Sequence, residues 1–137
     1  DVEENINDYR SYGGRVSALF EPSDQFSIQV GAYFQNLESD ASSSVESNPT
    51  TARTLYGRLT QSQFVPEFTD VKYRVYNGVI NYDFGFASLV SASSYSTLDQ
   101  QFLSDLTPQY GGLIQAIFGK PNNFLLRQQT GVKRFTQ

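Results

Sequence analysis

The stretch RVSALFEPSDQFSIQVGAYFQ, from Arg15 to Gln35, alternates apolar and polar side chains on both sides of Pro22-Ser23-Asp24. Successive side chains of a β-strand point to opposite faces, so a period of two predicts two strands with one apolar face each. Tyr12, Gly14, Val16, Ala18 and Phe20 carry that face in a first strand over residues 12–21. Phe26, Ile28, Val30, Ala32 and Phe34 carry it in a second over residues 25–37. Pro22-Ser23-Asp24 reads as a three-residue turn, because Pro fixes φ while Ser and Asp bond back to the local backbone. That turn sets Phe20 beside Phe26, Ala18 beside Ile28, Val16 beside Val30, Gly14 beside Ala32 and Tyr12 beside Phe34. On the other face it sets Gly13 beside Tyr33, where a ring can cover a glycine.

The rings therefore sit at both ends of the apolar face and small aliphatic residues fill its middle. From Tyr12 to Phe20 is about 26 Å at ~3.3 Å per residue. A tilt of ~40° projects this to about 20 Å, close to the ~25 Å apolar band and flanking aromatic girdles of an outer-membrane barrel. A soluble sandwich core alternates in the same way, but the rings at both ends favour the barrel.

A third strand is predicted over residues 72–83. Tyr76, Gly78, Ile80 and Tyr82 share one of its faces; Val75, Asn77, Val79, Asn81 and Asp83 share the other. Phe84-Gly85 forms a tight turn, and a fourth strand over 86–99 places Leu89, Ser91, Ser93 and Tyr95 with the tyrosine face. Residues 38–71 and 100–130 are long connections. The first opens in Ser-rich ESDASSSVESNPTTAR; the second is broken by Pro108 and Gly111-Gly112, with a short helix over LIQAIF (113–118) capped by Gly119. A fifth strand begins near Gly131. Loops thus alternate between two or three residues and about thirty, the asymmetry of transmembrane barrels. Soluble domains, with a median loop of ~5 residues, seldom hold two so long.

Composition excludes several functions. The chain has no Cys and no His, which removes thiol nucleophiles, the usual zinc sites and histidine acid–base chemistry. A net charge of −4 argues against nucleic acid, which wants clustered Lys and Arg. An aromatic content of 15% against 18% charged residues argues against disorder. No apolar run approaches the ~18 residues of a transmembrane helix. Glu67 with Asp70, or Glu3 with Glu4, could supply paired carboxylates, but these lie in loops where acids are ordinarily just solvated. YGG and YNG are too short for phosphate-binding motifs. The expectation is no enzyme and no cofactor. The chain opens at Asp1 and closes in GVKRFTQ, the start of a strand, so a segment of a larger protein is expected.

YGGRVSALFEPSDQFSIQVGAYFQ, PEF, KYRVYNGVINYDFGFASLVSASSYS and VKRFTQ together resemble the barrel of TonB-dependent outer-membrane receptors of Gram-negative bacteria. LFEPSDQFS and YDFGFASLVSASSYS are the most specific pieces; the strands carry the likeness and the loops hardly any. KRFTQ is similar to the start of a strand that in this family continues with an acidic residue and a Leu-rich alternation. The resemblance implies four to five antiparallel strands of a transmembrane β-barrel of 22 strands in all, with two long extracellular loops. It implies a plug domain and further strands outside these residues, with energy relayed by TonB to a missing N-terminal part. The implied substrate is an iron-siderophore complex, otherwise vitamin B12, haem or carbohydrate, taken up across the outer membrane.

On this reading Val16, Ala18, Phe20, Phe26, Ile28, Val30, Phe34, Ile80, Tyr82 and Leu89 face lipid. Arg15, Ser17, Glu21, Gln29, Asn77, Asn81 and Asp83 face a plug or wet lumen. Arg15 is placed inward because an arginine facing lipid at midplane costs ~2–4 kcal/mol. Candidate substrate or plug contacts are Arg15, Tyr33, Gln35, Tyr56, Arg58, Tyr73, Asn77 and Tyr110, with Phe64, Phe68 and Phe118 in the wider pool of loops and strand ends. The competing expectation is a soluble β-sandwich acting as an adhesin or interaction module, whose second sheet would bury the same stripe.

Overall fold

A computed structural model describes residues 4–42, 44–57 and 59–137. Its strands are β1 (Tyr9–Ser23), β2 (Phe26–Ser39), β3 (Phe68–Asp83), β4 (Ser88–Asp105) and β5 (Leu125–Thr136), with one helix, α1 (Thr107–Phe118), before β5. They form one open antiparallel sheet in the order β1-β2-β3-β4-β5, each strand paired with its sequence neighbour. The fold is all-β. The chain divides into two compact units. One gathers Glu38–Thr69 and Gln101–Gln128 with the N-terminal stretch to Arg10; the other gathers Ser11–Leu37, Asp70–Gln100 and Gln129–Gln137.

In the second unit the alternation predicts the faces but not the register. An added Cβ on Gly14 would lie 3.0 Å from the Phe34 ring, and Asn36 donates to the Tyr12 hydroxyl at 2.7 Å. Gly14 thus stands beside Phe34 and Tyr12 beside Asn36, two residues from the expected pairing. A slip of two keeps every side chain on its face, so the apolar stripe is unchanged. The turn is Asp24-Gln25, and Pro22 and Ser23 stay in β1.

The second hairpin shifts similarly. Phe84 N–H donates to the Ala87 carbonyl at 2.9 Å, Gly85 takes φ 83°, and its N–H bonds the Asp83 carboxylate at 2.7 Å. Gly85-Phe86 is therefore the turn centre, one residue later than expected, and Leu89 falls beside Tyr82. Between β2 and β3, Asp83 N–H reaches the Gln25 carbonyl and the Phe26 and Tyr82 rings meet edge-on at 5.9 Å.

The strands are longer than the alternation predicts. β3 starts at Phe68, β4 runs to Asp105 and β5 starts at Leu125, because ladder bonds from neighbours hold residues whose own pattern is too polar to announce a strand. In the first unit the Ser-rich connection is organised. A bridge joins Ser47 to Thr54, and the Asn48 side chain accepts from the N–H groups of Thr50 and Thr51. Helix α1 starts at Thr107, six residues before the expected 113–118, and takes in Pro108 and both glycines, which were expected to break up the connection ahead of it. Pro108 lies in the first turn, where its missing N–H has no intrahelical partner to lose. The Phe124 N–H bonds the Thr107 hydroxyl, and the Tyr110 and Phe124 rings meet at 5.6 Å. Gly119, at φ 70°, caps the end as expected.

Among the described residues the buried apolar side chain is Ala41; the other buried side chains are Asn36, Glu67 and Asp105, all polar.

Candidate functional site

Two faces of the sheet and one knot of carboxylates carry the chemistry. The apolar face presents Val16 at 66% exposure, Phe20 at 63% and Val30 at 51%, with Phe34, Ile80, Tyr82 and Leu89 also exposed and Phe26 and Ile28 half-buried. A shallow groove of about 260 Å³ runs between Val16, Ala18, Val30 and Ala32. At the far end of this stripe sits Arg74, a residue that alternation alone does not flag. Its guanidinium lies 5.8 Å from the Phe34 ring centroid and donates to the Asn36 side-chain oxygen at 2.6 Å.

The opposite face collects Arg15, Tyr33, Gln35, Tyr73 and Asn77, as their odd positions predict. Tyr33 donates its hydroxyl to the Gln35 side chain at 2.5 Å, Gln35 donates to Ser11 at 3.4 Å, and the Tyr33 and Tyr73 rings meet edge-on at 6.1 Å. Arg15, Tyr33, Gln35 and Ser11 line a recess of about 380 Å³ with Gly13. A Cβ on Gly13 would lie 2.5 Å from the Phe34 carbonyl oxygen, so the glycine is required by the close approach of the β2 backbone. Asn77 lies over Gly31, where a Cβ would stand 2.5 Å from its side-chain oxygen. Toward the turns, Asn81 donates to Ser27 at 3.0 Å, and Glu21, Asp24, Asn81 and Asp83 line a second, acidic concavity of about 740 Å³.

Of the remaining expected contacts, Tyr56 is an exposed residue of the first long connection and Tyr110 lies on α1. Both belong to the first unit, with Phe64, Phe68 and Phe118. Arg58 and Glu3 lie outside the described residues.

Glu67 is the clearest correction. Expected to be a solvated loop acid, it is 8% exposed. Its carboxylate accepts from Asp105 N–H at 2.7 Å, the Ser104 hydroxyl at 2.9 Å, Ser42 N–H at 3.1 Å and Gln63 at 3.3 Å. Burial pushes this carboxyl up, but the two N–H groups and the hydroxyls of Ser104 and Ser42 more than offset it and hold the group below its ordinary value. Asp105 answers with bonds from the N–H groups of Phe64, Val65 and Thr107 at 2.6, 3.0 and 3.0 Å. With two backbone N–H groups and the Ser104 and Gln63 side chains on its carboxylate, Glu67 ties the start of the first long connection to the end of β4. Asp70 lies in β3 and pairs with Lys72 at 3.2 Å.

Among the described residues no cluster of three or more acids could hold a metal ion. No helix among them is long and apolar enough to cross a membrane, which says nothing about strands. No family model, curated protein or solved structure matches the chain.

Proposed function

We propose that this chain is a segment of the barrel of a TonB-dependent outer-membrane receptor, which imports a scarce substrate, foremost an iron-siderophore complex, across the outer membrane of a Gram-negative bacterium. The observation that carries the reading is a sheet of long strands whose apolar stripe meets no second protein layer among the described residues. Exposing such a stripe to water is unfavourable by roughly 25 cal/mol for each Å², so hydrocarbon is the cover that suits it. Strands of 14 to 18 residues in β1 to β4 exceed the ~9–11 needed to cross a bilayer. Tight turns join β1 to β2 and β3 to β4, whereas long connections join β2 to β3 and β4 to β5, the asymmetry barrels show.

On this reading the β1 and β5 edges pair with further strands of the parent barrel, and the polar face looks toward a plug or lumen. The recess around Tyr33, Gln35 and Arg15 offers aromatic surface, neutral donors and acceptors, and one cation, which suits an oxygen-rich ligand. The test is to express the complete polypeptide carrying this chain in a Gram-negative host stripped of its own ferric-siderophore receptors and to follow labelled iron. Uptake that stops when the inner membrane is de-energised supports the proposal. Recovery of the protein in the soluble fraction as a monomer refutes it.

A further inference from the structure

We propose that the recess between Ser11, Arg15, Tyr33 and Gln35 binds an ionised carboxylate of its ligand, which makes the substrate an anionic, carboxylate-bearing compound. The inference rests on the receptor reading and deepens it by naming the substrate class. Two kinds of oxygen-rich ligand carry that group: a ferric carboxylate chelate and a uronic-acid sugar.

Ser11, Gly13 and Arg15 alternate along β1 onto one face. The register that sets Gly14 beside Phe34 sets Arg15 across from Tyr33 and Gly13 across from Gln35. Backbone forms the floor at Gly13, because β2 approaches too closely there for any side chain. The space between Ser11 and Arg15 is therefore left open, and the recess of about 380 Å³ occupies it. Among the described residues no acid lines it, and no carboxylate or neutral acceptor engages the Arg15 guanidinium. Glu21, the acid of β1, stands six residues from Arg15, about 20 Å along the strand at ~3.3 Å per residue. The cation is thus uncompensated and opens onto the polar face.

The second observation is the direction of the neutral hydrogen bonds. Tyr33 gives its hydroxyl proton to Gln35 Oε1, and Gln35 Nε2 donates to Ser11 Oγ. Bonding runs one way, from Tyr33 to Ser11, and leaves the Ser11 hydroxyl proton and the second Gln35 amide N–H free to donate. Beside them stand the N–H groups of Arg15, so the recess offers donors along its length. An ionised carboxylate has acceptors only, and its two oxygens match the guanidinium fork. A neutral ligand draws no charge assistance from Arg15. The Tyr33 ring, met edge-on by Tyr73 at 6.1 Å, gives the rest of the ligand an aromatic wall.

The experiment is equilibrium dialysis of the complete polypeptide in detergent, at about pH 7 where carboxylates are ionised, against two pairs of ligands. Ferric citrate is set against neutral ferrichrome, and trigalacturonate against neutral maltotriose. In at least one pair the anion should bind about tenfold tighter than its neutral counterpart, the scale of a hydrogen bond to a charged group. That pair names the source of the carboxylate. Arg15→Gln should erase the difference and Arg15→Lys should keep part of it. Arg134→Gln, which removes the same charge from β5 at the other edge of the sheet, should leave it intact. Equal binding within both pairs, no binding of any of the four, or a difference that survives Arg15→Gln or falls as far in Arg134→Gln overturns the inference. Energy-dependent uptake of labelled iron would leave the receptor reading standing in each of those cases. A protein recovered as a soluble monomer overturns both. Should Arg15→Gln fail to fold, salt decides: at about 1 M the Debye length falls to ~3 Å, and a wild-type preference undiminished there refutes a charge-based site.

Discussion

Val30→Arg tests the outward stripe at its centre. Val30 stands four residues from Phe26 and four from Phe34 on the same face, about 13 Å along β2 in each direction at ~3.3 Å per residue. With a tilt of ~40° that leaves about 10 Å to each ring, which puts Val30 near the middle of a ~25 Å apolar band. An arginine facing lipid at that depth costs ~2–4 kcal/mol, or roughly a thirty- to seven-hundred-fold shift in the folding equilibrium. Gln29→Arg, one residue away on the polar face, meets no hydrocarbon and should shift it by less than about threefold. The assay is urea titration of the complete polypeptide refolded in lipid vesicles, with folded and unfolded forms separated by gel mobility. Equal effects of the two substitutions would refute the assignment of faces to lipid and water. So would a Val30→Arg variant that folds as well as the parent.

Gly13→Ala should destabilise the first hairpin by about 1–3 kcal/mol, because its methyl would press on the Phe34 carbonyl, and backbone cannot swing aside as a side chain can; the same titration reads it. Glu67→Ala should loosen the base of both long connections, since it strands the N–H groups of Ser42 and Asp105 at ~1–3 kcal/mol for each one left buried. Hydrogen exchange at those two amides measures it, and unchanged protection contradicts the tie. Because the Glu67 carboxyl is held below its ordinary value, its contribution is full above pH of about 4.5 and is lost as pH falls through the lower folded value. Exchange at Ser42 should therefore accelerate on acidification in the parent and respond less in Glu67→Gln. If the recess binds substrate, Tyr33→Ala and Tyr73→Ala should each weaken binding at least tenfold while leaving the urea midpoint within error, as equilibrium binding to the refolded protein would show.

The faces of the first three strands were legible because a period of two admits no other reading of Val16, Ala18, Ile28, Val30 and Ile80. Register was not, since a slip of two preserves every face. What marks the register is the fit of Gly14 under the Phe34 ring. Strand ends were hidden for a related reason. Gln100 and Gln101 carry no strand signal of their own and extend β4 through bonds made by their neighbours. The Glu67–Asp105 tie was illegible because its partners are backbone N–H groups, including those of Phe64 and Val65 some forty residues before Asp105. Only the fold brings them together. Arg74 escaped notice because one cation at the end of an alternating stripe looks like the strand leaving its apolar environment, and its hold on Asn36 and Phe34 depends on the pairing of β2 with β3.

The central claim is that hydrocarbon covers the even-numbered face of β2. The chain has no cysteine of its own, so single cysteines at each position from Phe26 to Phe34 can carry a fluorescent label in the refolded, bilayer-embedded protein. A quencher attached to the lipid acyl chains should extinguish labels at 26, 28, 30, 32 and 34 and spare those at 27, 29, 31 and 33. Quenching with no alternation, or even positions shielded from lipid and water alike, would contradict it.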